Sequence, residues 1–153
     1  MTNRTSFSDA EWALINDTLA GVGLVATALD VGVVSAVKEF RALVRTMVDA
    51  QSAYAGVELI TAMVAEAETN KRSDSPPDAP GVGFVDGILA KVPEAVRTVD
   101  AKATPDEAQA YRRLLREVAR ATTEASGSGV FGTGEKVSDD ERAFLTRLDQ
   151  AIG

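Results

Sequence analysis

The stretch "SGSGVFGTGEK", residues 126–136, has the residue types of a phosphate-binding loop. Its glycines spell G-x-G-x-x-G-x-G, but dinucleotide loops follow a buried strand, and Walker A loops place a lysine directly after the last glycine. Here a helical pattern precedes the glycines, and Glu135 stands at the lysine position. We therefore interpret the stretch as a connection between helices, capped by Gly127. The alternative is a ligand or partner loop that uses the aromatic side chain of Phe131.

Carboxylates are the candidate metal ligands of this chain, because it contains no histidine and no cysteine. Any metal would be a hard, oxygen-bound cation, Ca²⁺ or Mg²⁺. Asp30 and Glu39 form one candidate set, and Asp139, Asp140 and Glu141 form the other. The alternative is that acidic side chains near helix starts interact with the helix dipole and need no ion. No other cofactor is expected.

The absence of histidine and cysteine also limits the classes of function that the chain can have. Without histidine and cysteine, the chain lacks the commonest general base near neutral pH and the thiolate nucleophile, so we expect a non-enzymatic protein. Its net charge of −7 disfavours nucleic acid, whose binding depends on neutralising phosphates. The expected partner is another protein or a second copy of the chain.

The N-terminal sequence "MTNRTSFSDAEW" has no apolar run with a cleavage site, so a cytoplasmic location is expected. The segment Leu19–Val37 is apolar and approaches the length of a membrane span, about 20 residues. Asp30 would lie within such a span, where a carboxylate costs about 2.5–3.5 kcal/mol. A buried helix followed by a turn is therefore the favoured interpretation, and no membrane span is predicted.

Capping signals and apolar spacing predict an all-α fold, a compact bundle of about six helices. Ser8, Thr104 and Ser138 are each followed three positions later by glutamate, and Phe7 and Trp12 flank the first of these capping boxes as a hydrophobic staple. The helices are expected at about 9–29, 34–50, 53–69, 84–100, 105–125 and 139–151.

Two of these helices leave open questions. A single helix over 34–69 is the alternative to the second and third helices, because small residues around "DAQSAYAG" interrupt the apolar period. Pro93 is expected to break or bend the fourth helix. The side chains that the second helix is expected to bury are Val37, Phe40, Val44, Met47 and Val48.

The polar segment 70–81 contains three prolines and divides the chain near its middle. We predict a single domain, residues 1–153, in which this linker joins the halves 7–69 and 82–152, possible sets of three helices each. The segments 7–15 and 137–145 share Ser, Asp, Glu and Ala at matching places. This similarity fits either an internal repeat or two unrelated capping boxes.

Arginines at positions 112, 116 and 120 recur every fourth residue and form a basic stripe on the fifth helix. Lys38, Arg41 and Arg45 form another on the second helix. Either stripe could receive an anionic partner, and the alternative is a solvated helix face. As partner-binding candidates we take Arg112, Arg116, Arg120 and Phe131.

The sequence Ala28-Leu29-Asp30-Val31-Gly32, with Ser35 and Glu39, resembles the tellurite-resistance TerB-like domains. In that family an apolar helix ends in Ala-Asp-Gly and leads through a turn to a helix that bears Glu. Residues 118–145 approximate the pattern again, with Glu141 in the glutamate position but no preceding Asp. The resemblance implies a stress-linked intracellular helical module whose acidic residues are candidate metal ligands. This cation-binding domain is the alternative to a helical interaction module.

Overall fold

The computed structural model describes residues 2–29, 33–70, 83–126 and 137–153. Within these residues, a 3-10 turn, Arg4–Ser6, comes first, and six α-helices follow it. These are α1 (Asp9–Leu29), α2 (Val33–Ala53), α3 (Glu58–Asn70), α4 (Phe84–Lys102), α5 (Pro105–Ser126) and α6 (Asp139–Ile152). The described part contains no strand, so the predicted all-α fold is confirmed.

The three predicted capping boxes are all formed. The Ser8 amide donates to the Glu11 carboxylate at 2.8 Å, and the Glu11 amide donates back to the Ser8 hydroxyl at 3.3 Å. Ser138 and Glu141 repeat this arrangement at 2.7 and 3.3 Å. Thr104 does the same at the start of α5. Reciprocal bonds of this kind satisfy amides that have no partner within the helix, which fixes where each helix begins.

The segment 34–69 forms two helices. α2 continues to Ala53, a turn follows at residues 54–56, and α3 begins at Glu58 rather than near Ala53. Gly56 has a φ of 98°, a left-handed conformation that is costly for other residues. The helix therefore ends where glycine permits the chain to reverse.

Of the expected break or bend at Pro93, the break does not occur, because α4 runs without interruption from Phe84 to Lys102. Pro93 lacks the N–H that would bond to the carbonyl of residue 89. Val92, Ala95 and Val96 are nevertheless buried on both sides of the proline. Burial of these neighbours offsets the lost hydrogen bond and keeps the helix continuous.

Helix α5 lies in the centre of the bundle and contacts the other five helices, while α1 packs against α4, α5 and α2. The helices before and after the linker therefore share one hydrophobic core. The largest fully buried side chains are Tyr111, Phe144, Ile15, Leu59, Ile60, Met63, Leu114, Leu115, Leu148, Ile152 and Val22.

The expected burial of Val48 is wrong, because 43% of this residue is exposed. Met47 and Ala50 of the same helix are buried, as is Tyr54 in the turn that follows. Val48 lies about 100° around the helix from Met47 and so faces away from them. Among the expected core residues of α2, Val44 is partly buried, and the side chains of Val37 and Phe40 lie outside the description.

Two glycines of α1 allow neighbouring helices to approach closely. A Cβ atom on Gly21 would lie 2.2 Å from the Cδ1 atom of Ile88 in α4. A Cβ atom on Gly23 would lie 2.6 Å from Leu43 in α2 and 3.0 Å from Val118 in α5. The close packing of α1 against α2, α4 and α5 thus depends on positions that carry no side chain.

Several predictions fall outside the described residues. They concern Asp30, most of the linker 70–81, and the glycine-rich stretch with its Gly127 cap and Phe131. Glu39 lies in α2, but its side chain is outside the description. In the described part of the chain, no helix is both long and apolar enough to cross a membrane.

Candidate functional site

Arg112 of the predicted basic stripe joins α5 to α4. Its two terminal nitrogens donate to the two carboxylate oxygens of Asp100, both at 2.7 Å. This two-pronged geometry matches the planar guanidinium to the carboxylate. The bond from Arg112 holds the pKa of Asp100 below its usual value, and Asp100 raises the pKa of Arg112.

Arg116, one turn further along α5, joins that helix to α6. Its Nε donates to the Asp149 carboxylate at 2.8 Å. A third pair, Arg147 of α6 with Asp86 of α4, has a separation of 2.7 Å. With Arg112–Asp100 included, there are three such ion pairs, and they connect α4, α5 and α6 to one another. Two of the three stripe arginines are therefore already occupied by carboxylates of the same chain.

Arg120 differs from the other two stripe residues. Its side chain is exposed, and it forms no ion pair with another side chain in the described part of the chain. It lies near the end of α5, before the stretch 127–136 that carries Phe131. Arg120 is thus the stripe residue best placed to meet an external group.

Glu141 and Asp139, at the start of α6, interact with other residues of the same helix end. Glu141 is buried with 3% of its surface exposed, and its carboxylate accepts from the Ser138 amide. Asp139 pairs with Arg142 at 3.0 Å and is almost fully exposed. Across the described residues, no group of three or more acidic side chains is arranged to hold a metal ion. The other candidate set, Asp30 and Glu39, lies outside this description.

A polar cluster that the sequence does not reveal lies where α5 begins. The buried Glu107 carboxylate accepts from the Thr2 amide at 2.9 Å and from the Thr2 hydroxyl at 2.6 Å. It also accepts from the Thr104 amide and hydroxyl, at 3.0 and 2.9 Å. Burial acts to raise the pKa of Glu107, but these four donors outweigh it and lower the pKa to about 2.

An aromatic cluster of Phe7 and Trp12 lies at the start of α1, beside the polar cluster of Glu107. The Phe7 and Trp12 rings are 5.7 Å apart, which forms the predicted hydrophobic staple. The Trp12 indole N–H donates to Glu66 of α3. The Lys102 ammonium of α4 lies 5.8 Å from the Phe7 ring and donates to Glu11 at 2.6 Å. The bond from Lys102, with those from Ser8, lowers the pKa of Glu11 to about 2.

Two tyrosines make hydrogen bonds between segments distant in sequence. The Tyr111 hydroxyl donates to the Ile15 carbonyl at 2.9 Å inside the core, and burial raises its pKa. The Tyr54 hydroxyl donates to Glu117 at 2.9 Å and so links the end of α2 to α5. Burial, followed by this bond, raises the pKa of Tyr54.

Comparison of the chain with protein-family models, curated proteins and solved structures gave no match. The class that the fold defines is an all-α helical bundle. The resemblance to TerB-like domains stays a prediction.

Proposed function

We propose that the protein is a non-enzymatic, cytoplasmic interaction module that binds another protein through one end of its helical bundle. One observation carries the proposal. Where the pKa of a described group is shifted, the physical cause lies in helix caps, interhelical bonds or core burial. Catalytic sites typically shift the pKa of groups that line a cleft. Here the shifted groups stabilise the bundle itself, as expected of a scaffold.

We assign the contact surface to the end of α5. Arg112 and Arg116 are each paired with a carboxylate of the same chain, whereas Arg120 is exposed without such a pair in the described part. Phe131 follows in the adjoining stretch. Arginine and aromatic residues commonly carry much of the binding energy at protein interfaces. The partner that fits them is a protein with an acidic group for Arg120 and an apolar pocket for Phe131.

The surface can be tested by comparing four proteins: the wild type, Arg120→Glu, Phe131→Ser and, as a control, Arg113→Glu. Arg113 is also exposed on α5. A partner captured from a lysate would be purified and its affinity for each protein measured by calorimetry. We expect binding to be lost in Arg120→Glu and Phe131→Ser but kept in Arg113→Glu. Equal affinity for all four proteins would contradict the assigned surface.

Thermal unfolding distinguishes the module from a cation-binding domain. We expect the midpoint with Ca²⁺ or Mg²⁺ to equal that of an EDTA-treated control. A cation present at 100 times its dissociation constant would stabilise the fold by about 2.7 kcal/mol, a shift of several degrees. Such a shift would contradict the proposal. Asp30→Asn and Glu39→Gln variants would then show whether those carboxylates bind the ion.

A further inference from the structure

The residues before α1 form a strap, defined as Thr2–Phe7, that crosses from the start of α5 to the start of α1. Its two ends are buried, with 3% of Thr2 and 5% of Phe7 exposed. The 3-10 turn between them, Arg4–Ser6, contains no buried residue. The strap is therefore fastened at two points with an exposed stretch between them.

The first fastening depends on the charge of one carboxylate. Ionised Glu107 accepts the amide and hydroxyl of Thr2 while it also accepts those of Thr104. A protonated carboxyl group must place a proton on one oxygen, which then acts as a donor. It cannot keep all four bonds. Thr104 is part of the same capping box and lies three positions from Glu107. Thr2 lies 105 positions away in sequence, so it is the partner more easily lost.

The second fastening combines rings with further carboxylates. Arg4 lies 5.6 Å from the Trp12 ring and pairs with Asp9. Phe7 packs against the same ring, whose indole N–H donates to Glu66. Glu11 holds the Lys102 ammonium that faces Phe7. Carboxylates of α1, α3 and α5 thus surround the strap and the tryptophan that it covers.

We propose that this strap is an acid-released latch: protonation of Glu107 and Glu11 frees Thr2–Phe7 while the six helices stay folded. The helices share an apolar core whose burial does not titrate. The three interhelical ion pairs of α4–α6 lie at the surface and contribute little to the stability of the helices. The proposal is independent of the proposed partner surface.

The direction of the pH effect follows from the lowered pKa values. Glu107 and Glu11 have pKa values of about 2 in the folded protein, against an ordinary value of 4.5. Their stabilising contribution is complete above the ordinary value and is lost as the pH falls towards about 2. The charged groups around the strap are Arg4, Asp9, Glu11, Glu66, Lys102 and Glu107. Most are acidic, so the release lies on the acid side.

The only tryptophan of the chain, Trp12, lies under the strap and reports its release. We would titrate the whole protein from pH 7 to pH 2 and follow acrylamide quenching of Trp12 and far-UV circular dichroism together. The expected result is a rise in quenching at a higher pH than the loss of helical signal. Coincident transitions would overturn the proposal, because the strap would then open only with global unfolding.

Matched variants show whether Glu107 and Thr2 control the release. Thr2→Val removes the hydroxyl donor and leaves the Thr104–Glu107 capping box intact. We expect it to move the quenching transition to higher pH without moving the helical transition. Ser138→Ala removes the equivalent box of α6, away from the strap, and should leave the quenching transition in place. Unchanged quenching in Thr2→Val, or an equal shift in Ser138→Ala, would contradict the latch.

Discussion

Helices α4, α5 and α6 are joined at the surface by ion pairs between helices, whereas α2 and α3 are joined to the bundle by buried side chains and single hydrogen bonds. The described ion pair of α2, Arg45–Asp49, lies within one helix at 3.9 Å. Leu59, Ile60 and Met63 of α3 are fully buried. Burial of such a side chain contributes about 1.5–3 kcal/mol, and an exposed ion pair about 0–1 kcal/mol. The two regions should therefore differ in how they respond to cavities and to salt.

The largest effect is expected from Ile60→Ala in α3. This substitution removes buried apolar atoms and leaves a cavity, at a cost of about 2–5 kcal/mol. Urea denaturation would measure the change. Thr61→Ala, at the adjacent exposed position, should change stability by no more than about 0.5 kcal/mol. If both variants lower the free energy of unfolding equally, burial of the apolar face of α3 does not attach this helix to the bundle.

A smaller effect is expected from Tyr54→Phe at the end of α2. The ring stays buried, but the bond from its hydroxyl to Glu117 is lost, at a cost of about 1 kcal/mol. The free energy of unfolding of Glu117→Gln, which keeps a neutral acceptor, should fall between those of the wild type and Tyr54→Phe. If Tyr54→Phe were as stable as the wild type, the hydrogen bond from Tyr54 to Glu117 would not contribute to the attachment of α2.

The smallest effect is expected from the Arg112–Asp100 pair. A double-mutant cycle with Arg112→Gln and Asp100→Asn should give a coupling of about 0.5–1 kcal/mol at low salt. In about 1 M salt, where the screening length falls to about 3 Å, the coupling should shrink. The loss of stability caused by Ile60→Ala should not decrease at high salt. A coupling that persists at high salt would show that this partly exposed pair behaves as a buried one.

The starts of α1, α5 and α6 could be predicted well because their signals are local. A cap and the glutamate that completes it lie three residues apart, so Ser8, Thr104 and Ser138 mark helix starts without knowledge of the fold. The expected break at Pro93, which does not occur, and the expected burial of Val48, which is wrong, concern positions where packing decides. The continuity of α4 across Pro93 depends on the burial of its neighbours, and the exposure of Val48 depends on which face of α2 meets α5.

The contacts around the candidate site could not be predicted, because they join residues far apart in sequence. The arginine stripe was visible from its spacing, but Asp149 lies 33 positions from Arg116. The sequence marks Glu107 as a capping residue, but nothing near it indicates the bonds from Thr2, 105 positions away. Sequence spacing identifies side chains on one helix face, and only the assembled bundle shows what meets that face.

Gly21 and Gly23 have a consequence for how this protein tolerates variation. In a library that samples every substitution and retains folded variants, both positions should be depleted as strongly as core positions, although neither buries a side chain. Position 21 should accept alanine more readily, because the nearest atom is the movable tip of Ile88. Position 23 meets Leu43 and Val118 together, two side chains from two helices. Scores based on hydrophobicity or residue size would rank alanine as harmless at both sites and would fail most clearly at position 23.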